Sequence, residues 1–403
     1  MLRIFITLIF LFINSLNANL LQEAIDNAKE GSILKLPKGI YKGSIKINKP
    51  ISIIGKEEGV IIDGIGQGTV IEINSPYVTI KNLTIIGSGE RHDKLDAAIK
   101  ISNSKQSEIS DNIIKDCLFG IDVSMSNNSI ISNNYITSKN LDLGLRGDGL
   151  RLWYSNDNIV SKNKLINSRD MVVWYSHGNE ISENYGENNR YSLHFMYAGK
   201  NYVKNNTYKF NSVGIFFMYS KDTLASGNII KSSLGATGMG IGLKDVSNFT
   251  LKDNTVIYCA QGIYIDRSPF EPDTKNWIED NKILYNAEAL HFHSLSEDNV
   301  IKKNSILGNI EDVVNDSRGS NTYKNEIVNN YWDNYEGFDK NGDNIGDTPH
   351  KVFQYADQLW VYNPNVKFFY GSPVISLLNF LAKLAPFTEP IFLMSDDKPK
   401  LKI

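Results

Sequence analysis

The sequence predicts an all-β chain that folds as a single-stranded parallel β-helix, with an N-terminal helical cap and an irregular C-terminal tail. Two observations predict this fold: asparagines recur about every 22 residues, and a short apolar strand that opens on a small residue follows nearly every one. A repeat this short cannot bury an apolar face alone, so successive repeats must stack as coils. The 403 residues, 41% of them hydrophobic, suffice for an elongated repeat domain. A net charge of −3 gives no basic surface for nucleic acid.

The N-terminus has the pattern of a secretory signal peptide. One positive residue, Arg3, precedes an apolar run from Ile4 to Ile13, and the small residue Ala18 follows at the exit. The run is shorter than the roughly 20 residues that a membrane anchor needs. We therefore expect a signal peptide at 1–18, a β-helix at 19–338, a closing loop region at 339–370 and an apolar tail for partner docking at 371–403.

The segment after the signal peptide predicts the cap. Apolar residues stand at positions 20, 21, 24, 25 and 28, which is helical spacing. A short amphipathic helix suits the open end of a solenoid.

The repeated asparagines predict one bend of the β-helix. They are Asn112, Asn134, Asn163, Asn184, Asn206, Asn228, Asn254, Asn281 and Asn304. Asparagine tolerates a left-handed backbone, and its amide can bond the equivalent amide one coil away. We expect these side chains to form a ladder.

The two cysteines should be free thiols. Cys117 and Cys259 take the same place in coils that are six repeats apart. At about 4.8 Å per coil their separation is about 29 Å, whereas a disulfide requires Cα atoms within about 7 Å.

The position just after the second strand of each coil predicts a metal site. This column reads Trp153, Tyr175, Met196, Met218, Lys244, Asp266 and His293. Met196 and Met218 are 22 residues apart and should be neighbours about 4.8 Å apart. His194 shares the side of Met196, His177 follows Tyr175 in the coil below, and Met239 opens the coil above.

Thioether and imidazole ligands together favour Cu(I), because soft sulfur selects it over zinc or calcium. The candidate ligands of a transiently bound Cu(I) are therefore His194, Met196, Met218, His177 and Met239. The alternative is surface packing, since methionine and aromatic side chains commonly fill gaps. His291 and His293 form a second pair about four coils away, which we interpret as a surface pair.

The loop Asp339–Asp347 has the alternating oxygen ligands of a calcium site. The bidentate glutamate of an EF-hand is missing, so the alternative is a Gly/Asn turn that closes the solenoid.

The tail from Ser372 to Met394 is apolar but interrupted by three prolines. It is too broken to span a membrane and too hydrophobic for a free linker, so it should dock on a partner. The candidate contact residues are Pro373, Leu377, Leu378, Phe380, Leu381, Leu384 and Pro386.

A carbohydrate-active enzyme is the alternative function, because many parallel β-helices cleave or epimerise polysaccharides. An extracellular lyase or epimerase would use charged groups such as Asp122, Asp142 and Asp148, near Arg146 and Arg151. Hydrolysis needs two carboxylates about 5–9 Å apart, and no tight aspartate cluster is evident. We therefore do not expect an enzyme.

Several stretches carry a resemblance to a known family. They are Gly147–Tyr154, Arg190–Tyr197, Gly214–Ser220, Asn330–Asp333, Gly342–Asp347 and Ser372–Pro386. Over essentially its whole mature length the chain resembles the NosD family, the periplasmic maturation proteins of nitrous oxide reductase. The two Phe-Met-Tyr segments and the Ser-Pro start of the tail are the most specific of these features.

The resemblance implies a right-handed, pectin-lyase-like β-helix in the periplasm. It implies a delivery scaffold that works with an ABC-type ATPase and permease and with a copper chaperone lipoprotein. Together these proteins assemble the copper–sulfide centre of nitrous oxide reductase. The tail would contact the permease and keep the protein at the periplasmic side of the inner membrane.

Overall fold

The computed structural model describes residues 20–235, 237–317, 322–355, 363–369, 372–385 and 390–402. The predicted signal peptide at 1–18 and Pro386 lie outside these ranges. The chain divides into two compact units, Met1–His194 and Phe195–Ile403. Three parallel sheets run along each unit, and each coil but the last contributes one strand to each sheet. The predicted parallel β-helix is confirmed.

The N-terminal unit begins with a helix at residues 20–27, named α1. Its Leu21 and Ile25 are buried, and the Gln22 side chain bonds both the backbone N and O of Lys46. The helix therefore caps the first coil, as the apolar spacing predicts.

The first sheet of this unit contains β1 (Ile33–Leu36), β4 (Ser52–Gly55), β7 (Thr79–Lys81), β10 (Glu108–Ser110), β13 (Ile130–Ser132), β16 (Ile159–Ser161) and β19 (Glu180–Ser182). The second contains β2 (Gly39–Lys42), β5 (Val60–Asp63), β8 (Thr84–Ile86), β11 (Ile113–Cys117), β14 (Tyr135–Ser138), β17 (Lys164–Ile166) and β20 (Tyr185–Glu187). The third contains β3 (Ile45–Ile47), β6 (Ile71–Ile73), β9 (Ala97–Ser102), β12 (Phe119–Ser124), β15 (Leu150–Trp153) and β18 (Asp170–Trp174). Strand β21 (Tyr191–Met196) includes the boundary between the units.

The C-terminal unit repeats this arrangement. Its first sheet contains β22 (Tyr202–Lys204), β25 (Leu224–Ser226), β28 (Thr250–Lys252), β31 (Asn276–Glu279), β34 (Asn299–Lys302) and β37 (Glu326–Val328). Its second contains β23 (Thr207–Lys209), β26 (Ile229–Lys231), β29 (Thr255–Ile257), β32 (Lys282–Leu284), β35 (Ser305–Leu307) and β38 (Tyr331–Trp332). Its third contains β24 (Val213–Met218), β27 (Met239–Lys244), β30 (Gln261–Asp266), β33 (Glu288–His293) and β36 (Glu311–Asn315).

The asparagine ladder is present in both units. The Nδ2 of Asn112 donates to Asn134 Oδ1 at 3.0 Å, and Asn134 donates to Asn163 at 2.9 Å. In the C-terminal unit the chain of amides runs from Asn206 through the equivalent asparagines to Asn330. Each amide also bonds backbone groups, so these buried side chains are fully paired.

The left-handed backbone lies one residue before each ladder asparagine. Asn133, Asp253 and Lys303 have φ values of 56°, 54° and 58°. The position with positive φ therefore varies in sequence, whereas the next residue is always asparagine. Hydrogen bonding, rather than the backbone conformation, explains the repeat, which corrects the expected role of the left-handed region.

Two strands that follow the coils close the C-terminal unit. Strands β39 (His350–Gln354) and β40 (Ile391–Asp396) pair antiparallel. The buried carboxylate of Asp396 accepts hydrogen bonds from the Asn330 backbone N, from Asn330 Nδ2 and from Trp332 Nε1 at 2.9–3.0 Å. Asp396 therefore ends the asparagine ladder by taking the place of one more amide.

The tail also contains a helix, so the predicted irregular tail is corrected. Helix α2 (Pro373–Leu384) begins after Ser372, whose hydroxyl accepts from the backbone N of Ile375. Proline is tolerated at the first helical position because a backbone N–H there would have no acceptor within the helix. Pro373 therefore starts the helix. Within the described ranges, three further short segments are 3-10 helices, Leu143–Leu145, Thr322–Lys324 and Pro364–Phe369.

Cys117 and Cys259 are buried free thiols, as predicted. Burial raises the pKa of Cys117 to about 12 and that of Cys259 to about 11. Among the described residues, no helix has the length and apolar character that crossing a membrane requires.

Candidate functional site

The structure brings Met196 and Met218 together in adjacent coils of the C-terminal unit. The backbone N of Tyr197 donates to the carbonyl oxygen of Met218 at 3.1 Å. Rings stack on both sides of the pair, with centroids 5.0 Å apart for Phe195 and Phe217, and 4.9 Å for Tyr197 and Tyr219. Both methionines are half-buried at the ends of their strands. The two thioethers therefore lie where strands leave the core.

His194 is two residues before Met196 in β21, so both side chains leave the strand on the same side. The imidazole is half-buried, and its ring centroid lies 4.9 Å from that of Tyr191. Burial lowers the pKa of His194, with Arg190 acting in the same direction and Asp170 opposing it. A neutral imidazole keeps a lone pair for a metal.

The structure does not bring Met239 to the methionine pair. Met239 pairs with Val213, at the far end of β24 from Met218. Five residues of strand, about 16 Å, separate those two positions. His177 is an exposed residue of the N-terminal unit, three residues after the end of β18, and its role as a ligand stays a prediction.

One member of the predicted column is corrected. Trp153 of β15 pairs with Trp174 rather than with Tyr175. The run Met171–Trp174 is apolar throughout, so it lacks the alternation that fixes a register in sequence.

Charged residues follow the methionine pair along the same column. Lys244 pairs with Met218 in the next coil, and its Nζ lies 2.5 Å from Asp266 Oδ2. The hydrogen bond with Asp266 raises the pKa of Lys244. Arg267 forms a second ion pair, with the buried carboxylate of Asp245. Each of these two cations therefore has a carboxylate partner.

Phe216 lies two residues before Met218 in β24 and packs on the next coil. Its ring lies over Gly242 so closely that a Cβ on that glycine would come within 2.1 Å of Phe216 Cδ2. Phe216 is only 8% exposed although it points outward. The Phe216 ring packed on Gly242 therefore forms an apolar surface two residues from Met218.

Two of the three carboxylates of the enzyme alternative serve as ion-pair partners. Asp122 Oδ1 lies 2.7 Å from Arg151 Nε, and Asp148 Oδ1 lies 2.9 Å from Arg169 Nε. Burial raises the pKa of Asp148, and Arg169 opposes that shift. The third, Asp142, is exposed before a 3-10 turn.

The loop Asp339–Asp347 is largely exposed, although Gly346 is buried, and its own carboxylates accept hydrogen bonds from its backbone. Asp339 accepts from the backbone N of Gly342 at 2.6 Å and of Asn344 at 2.8 Å. These backbone bonds lower the pKa of Asp339. Calcium binding at this loop stays a prediction.

The interpretation of His291 and His293 as a surface pair is wrong for His291, which is 1% exposed. His291, His293 and Asp316 place ligand atoms within 4.8 Å of one another. Sequence reasoning missed Asp316 and the buried Glu288. The available signal was spacing, because Asp316 follows His293 by 23 residues, one coil of the repeat.

The face of α2 that the structure leaves open is apolar. Val374, Leu377, Phe380 and Leu384 are 64%, 56%, 57% and 68% exposed. Pro373 is exposed, Leu381 is 39% exposed and Leu378 is half-buried. Six of the seven predicted contact residues therefore lie within this helix, and the seventh, Pro386, is outside the described residues.

Comparison with solved structures shows the fold. The catalytic unit of an α-1,3-glucanase from Streptomyces thermodiastaticus matches with a TM-score of 0.62 at 14% identity, covering 77% of this chain and 64% of that chain. The A-module of the mannuronan C-5 epimerase AlgE6 from Azotobacter vinelandii matches with a TM-score of 0.52 at 13% identity, covering 78% and 88%. At such identities only the fold is shared.

Sequence relatives are closer. "Probable ABC transporter binding protein NosD" of Stutzerimonas stutzeri is 27% identical, with 92% of this chain and 86% of the relative covered. The protein of the same name from Pseudomonas aeruginosa is 27% identical, with 87% and 84% covered.

Two family models also match. One, described as a right handed beta helix region, covers residues 59–193. The other, described as periplasmic copper-binding protein (NosD), covers residues 132–337, just over half of the chain. This chain therefore belongs to the NosD family.

Proposed function

We propose that this protein is a periplasmic copper-handling scaffold that acts with an ABC transporter in assembling the copper–sulfide centre of nitrous oxide reductase. Membership of a family described as periplasmic copper-binding is the observation that carries the proposal. Two relatives named as ABC transporter binding proteins support the transporter association. The protein delivers copper rather than catalysing a reaction.

We assign the transient Cu(I) to Met196 and Met218, with His194 as a third ligand. Two thioethers and a neutral imidazole form a soft donor set that selects Cu(I) over zinc and calcium. The half-buried position of both methionines supports transfer, because cargo must enter and leave. Met239 is left out of this ligand set because it pairs with Val213, at the other end of β24 from Met218. His177 stays a predicted ligand.

Cu(I) titration against a chromophoric Cu(I) chelator tests this assignment. The double variant Met196→Leu/Met218→Leu should bind Cu(I) at least about tenfold more weakly, since lost ligands cost no less than lost outer-shell partners. Met125→Leu is the matched control, because Met125 is 48% exposed in a turn. Unchanged Cu(I) affinity in the double variant, with fully metallated reductase in its strain, would refute the assignment.

The apolar face of α2 is the proposed contact with the permease. An apolar patch open to water marks a surface that a partner covers. The triple variant Leu377→Gln/Phe380→Gln/Leu384→Gln should lose co-purification with the ATPase and permease while its melting temperature stays unchanged. The matched control replaces Ile40, Leu145 and Leu234, which are 59%, 59% and 62% exposed, with glutamine. Equal recovery of the transporter with both triple variants would exclude α2 as the contact.

A further inference from the structure

A second group of ligand atoms converges at the end of β33, in the C-terminal unit. His291 Nε2 lies 3.2 Å from Asp316 Oδ2, and His293 Nδ1 lies 2.7 Å from Asp316 Oδ1. We propose that His291, His293 and Asp316 bind one divalent first-row transition ion, Cu(II) or Zn(II). This site is independent of the proposed Cu(I) site, because it shares no residue with it.

The backbone register fixes these three side chains. His291 and His293 are two residues apart in β33 and therefore lie on the same side of the strand. In the next coil β36 pairs His291 with Val314 and Phe292 with Asn315, which sets Asp316 beside His293. Two of the ligands therefore lie on a strand and the third directly follows the paired strand, an arrangement more rigid than one built on loops alone.

His291 is oriented as a metal ligand would be. Its Nδ1 lies 2.5 Å from Glu288 Oε2, and both side chains are buried. The Nδ1–H therefore donates to Glu288, and Nε2 is the nitrogen that faces Asp316. That buried Nε2 lies 3.2 Å from Asp316 Oδ2, so both atoms can face a shared ion. A carboxylate behind a histidine fixes the tautomer in metal sites.

The surroundings of Glu288 and His291 are also built. Gln261 Nε2 lies 3.1 Å from Glu288 Oε2 and 3.1 Å from His291 Nδ1. The Tyr264 ring packs against both imidazoles, with centroids 5.2 Å and 6.0 Å away. One wall of the site is therefore aromatic, and a polar side chain positions the glutamate.

The geometry and donors select the class of metal. Ligand atoms bound at about 2.0 Å in a tetrahedron lie about 3.3 Å apart, so the observed 2.7 and 3.2 Å need only a small opening. Two imidazoles and one carboxylate suit Zn(II) and Cu(II), whereas Ca(II) prefers oxygen and Cu(I) prefers sulfur. Three protein ligands leave a position for water or another ligand. The His293 side chain is 42% exposed, which gives the ion an entry path.

The competing explanation is an ion-pair network that stabilises the coil without a metal. Titration of tag-free full-length protein with ZnCl2 and CuCl2, followed by calorimetry, distinguishes the two. The wild type should bind one equivalent, and His291→Ala and Asp316→Asn should each weaken binding at least about tenfold. His92→Ala is the control, because His92 packs on Phe119 and contacts the Leu145 carbonyl.

Two further measurements keep the test decisive. Asp316→Asn retains the shape of the side chain, so its melting temperature without metal separates misfolding from ligand loss. Cu(II) electron paramagnetic resonance should show two nitrogen ligands in the wild type and one in His293→Ala. The Met196→Leu/Met218→Leu variant should keep this Cu(II) signal, so failure of one site does not disguise failure of the other. Unaltered affinity in a His291→Ala/His293→Ala variant would overturn the proposal.

Discussion

Two columns of the C-terminal unit follow the same coil repeat but behave oppositely. The ladder column contains asparagine in every coil from Asn206 to Asn330, and each of these residues is buried. The column at the end of the third sheet changes in character from coil to coil. It reads Met196, Met218, Lys244, Asp266 and His293.

The difference follows from what each column must bond. A ladder amide accepts from and donates to its neighbours inside the protein, so any other side chain would leave buried groups unpaired. The end of the third sheet borders solvent, and its side chains pair locally or bind what arrives from outside. Uniformity therefore marks the scaffold, and variety marks the surface that carries function.

The largest effect on folding is expected at the middle of the ladder. Asn254→Ala removes the acceptor of Asn228 N and Nδ2 and the donor to Ala225 O and Asn281 Oδ1, four bonds of 2.9–3.0 Å. At about 1–3 kcal/mol for each group left unpaired, the free energy of unfolding should fall by about 3–5 kcal/mol. Urea denaturation measures this change. Asn140→Ala, at an exposed position, is the control; an equal loss there would mean that the ladder is not special.

The next largest effect is expected where the ladder ends. Asp396→Ala leaves two buried donors, the Asn330 backbone N and Trp332 Nε1, without their acceptor. The free energy of unfolding should fall by about 2–4 kcal/mol. The neighbouring Asp397→Ala, at an exposed residue, should change it little. Equal melting temperatures for these two variants would contradict a capping role for Asp396.

An intermediate effect is expected in the outer column, at Gly242. An alanine Cβ would meet the Phe216 ring at 2.1 Å, so the ring must move. Overpacking of this kind costs about 1–3 kcal/mol. Gly144→Ala, which meets no atom within 4 Å, is the control. The second change Phe216→Leu should restore stability to Gly242→Ala; without that rescue, the ring is not the obstacle.

The sequence predicts the scaffold better than the site, and the columns explain why. Each ladder asparagine makes the same hydrogen bonds to the neighbouring coils, so the spacing of the asparagines alone predicts the bend, the coil length and the stacking. Asp396 and Asn330 are 66 positions apart, and because Asp396 lies outside the repeats, their spacing does not predict this contact. The sequence predicts an exposed His291 because the local pattern does not show which residues cover it. The structure shows that Glu288, Tyr264 of the previous coil and Asp316 of the next coil surround it.

The smallest effect on folding is expected at the methionine pair itself. Leucine has nearly the volume of methionine, and such exchanges cost less than about 1.5 kcal/mol even in cores. Because Met196 and Met218 are half-buried, the double leucine variant should lose less than about 1 kcal/mol of unfolding free energy. A loss above about 2 kcal/mol would assign both thioethers to packing, as gap-filling methionines. A small loss of stability together with weakened Cu(I) binding would show that the two methionines serve as ligands rather than as packing, because leucine preserves the packing and removes only the sulfur.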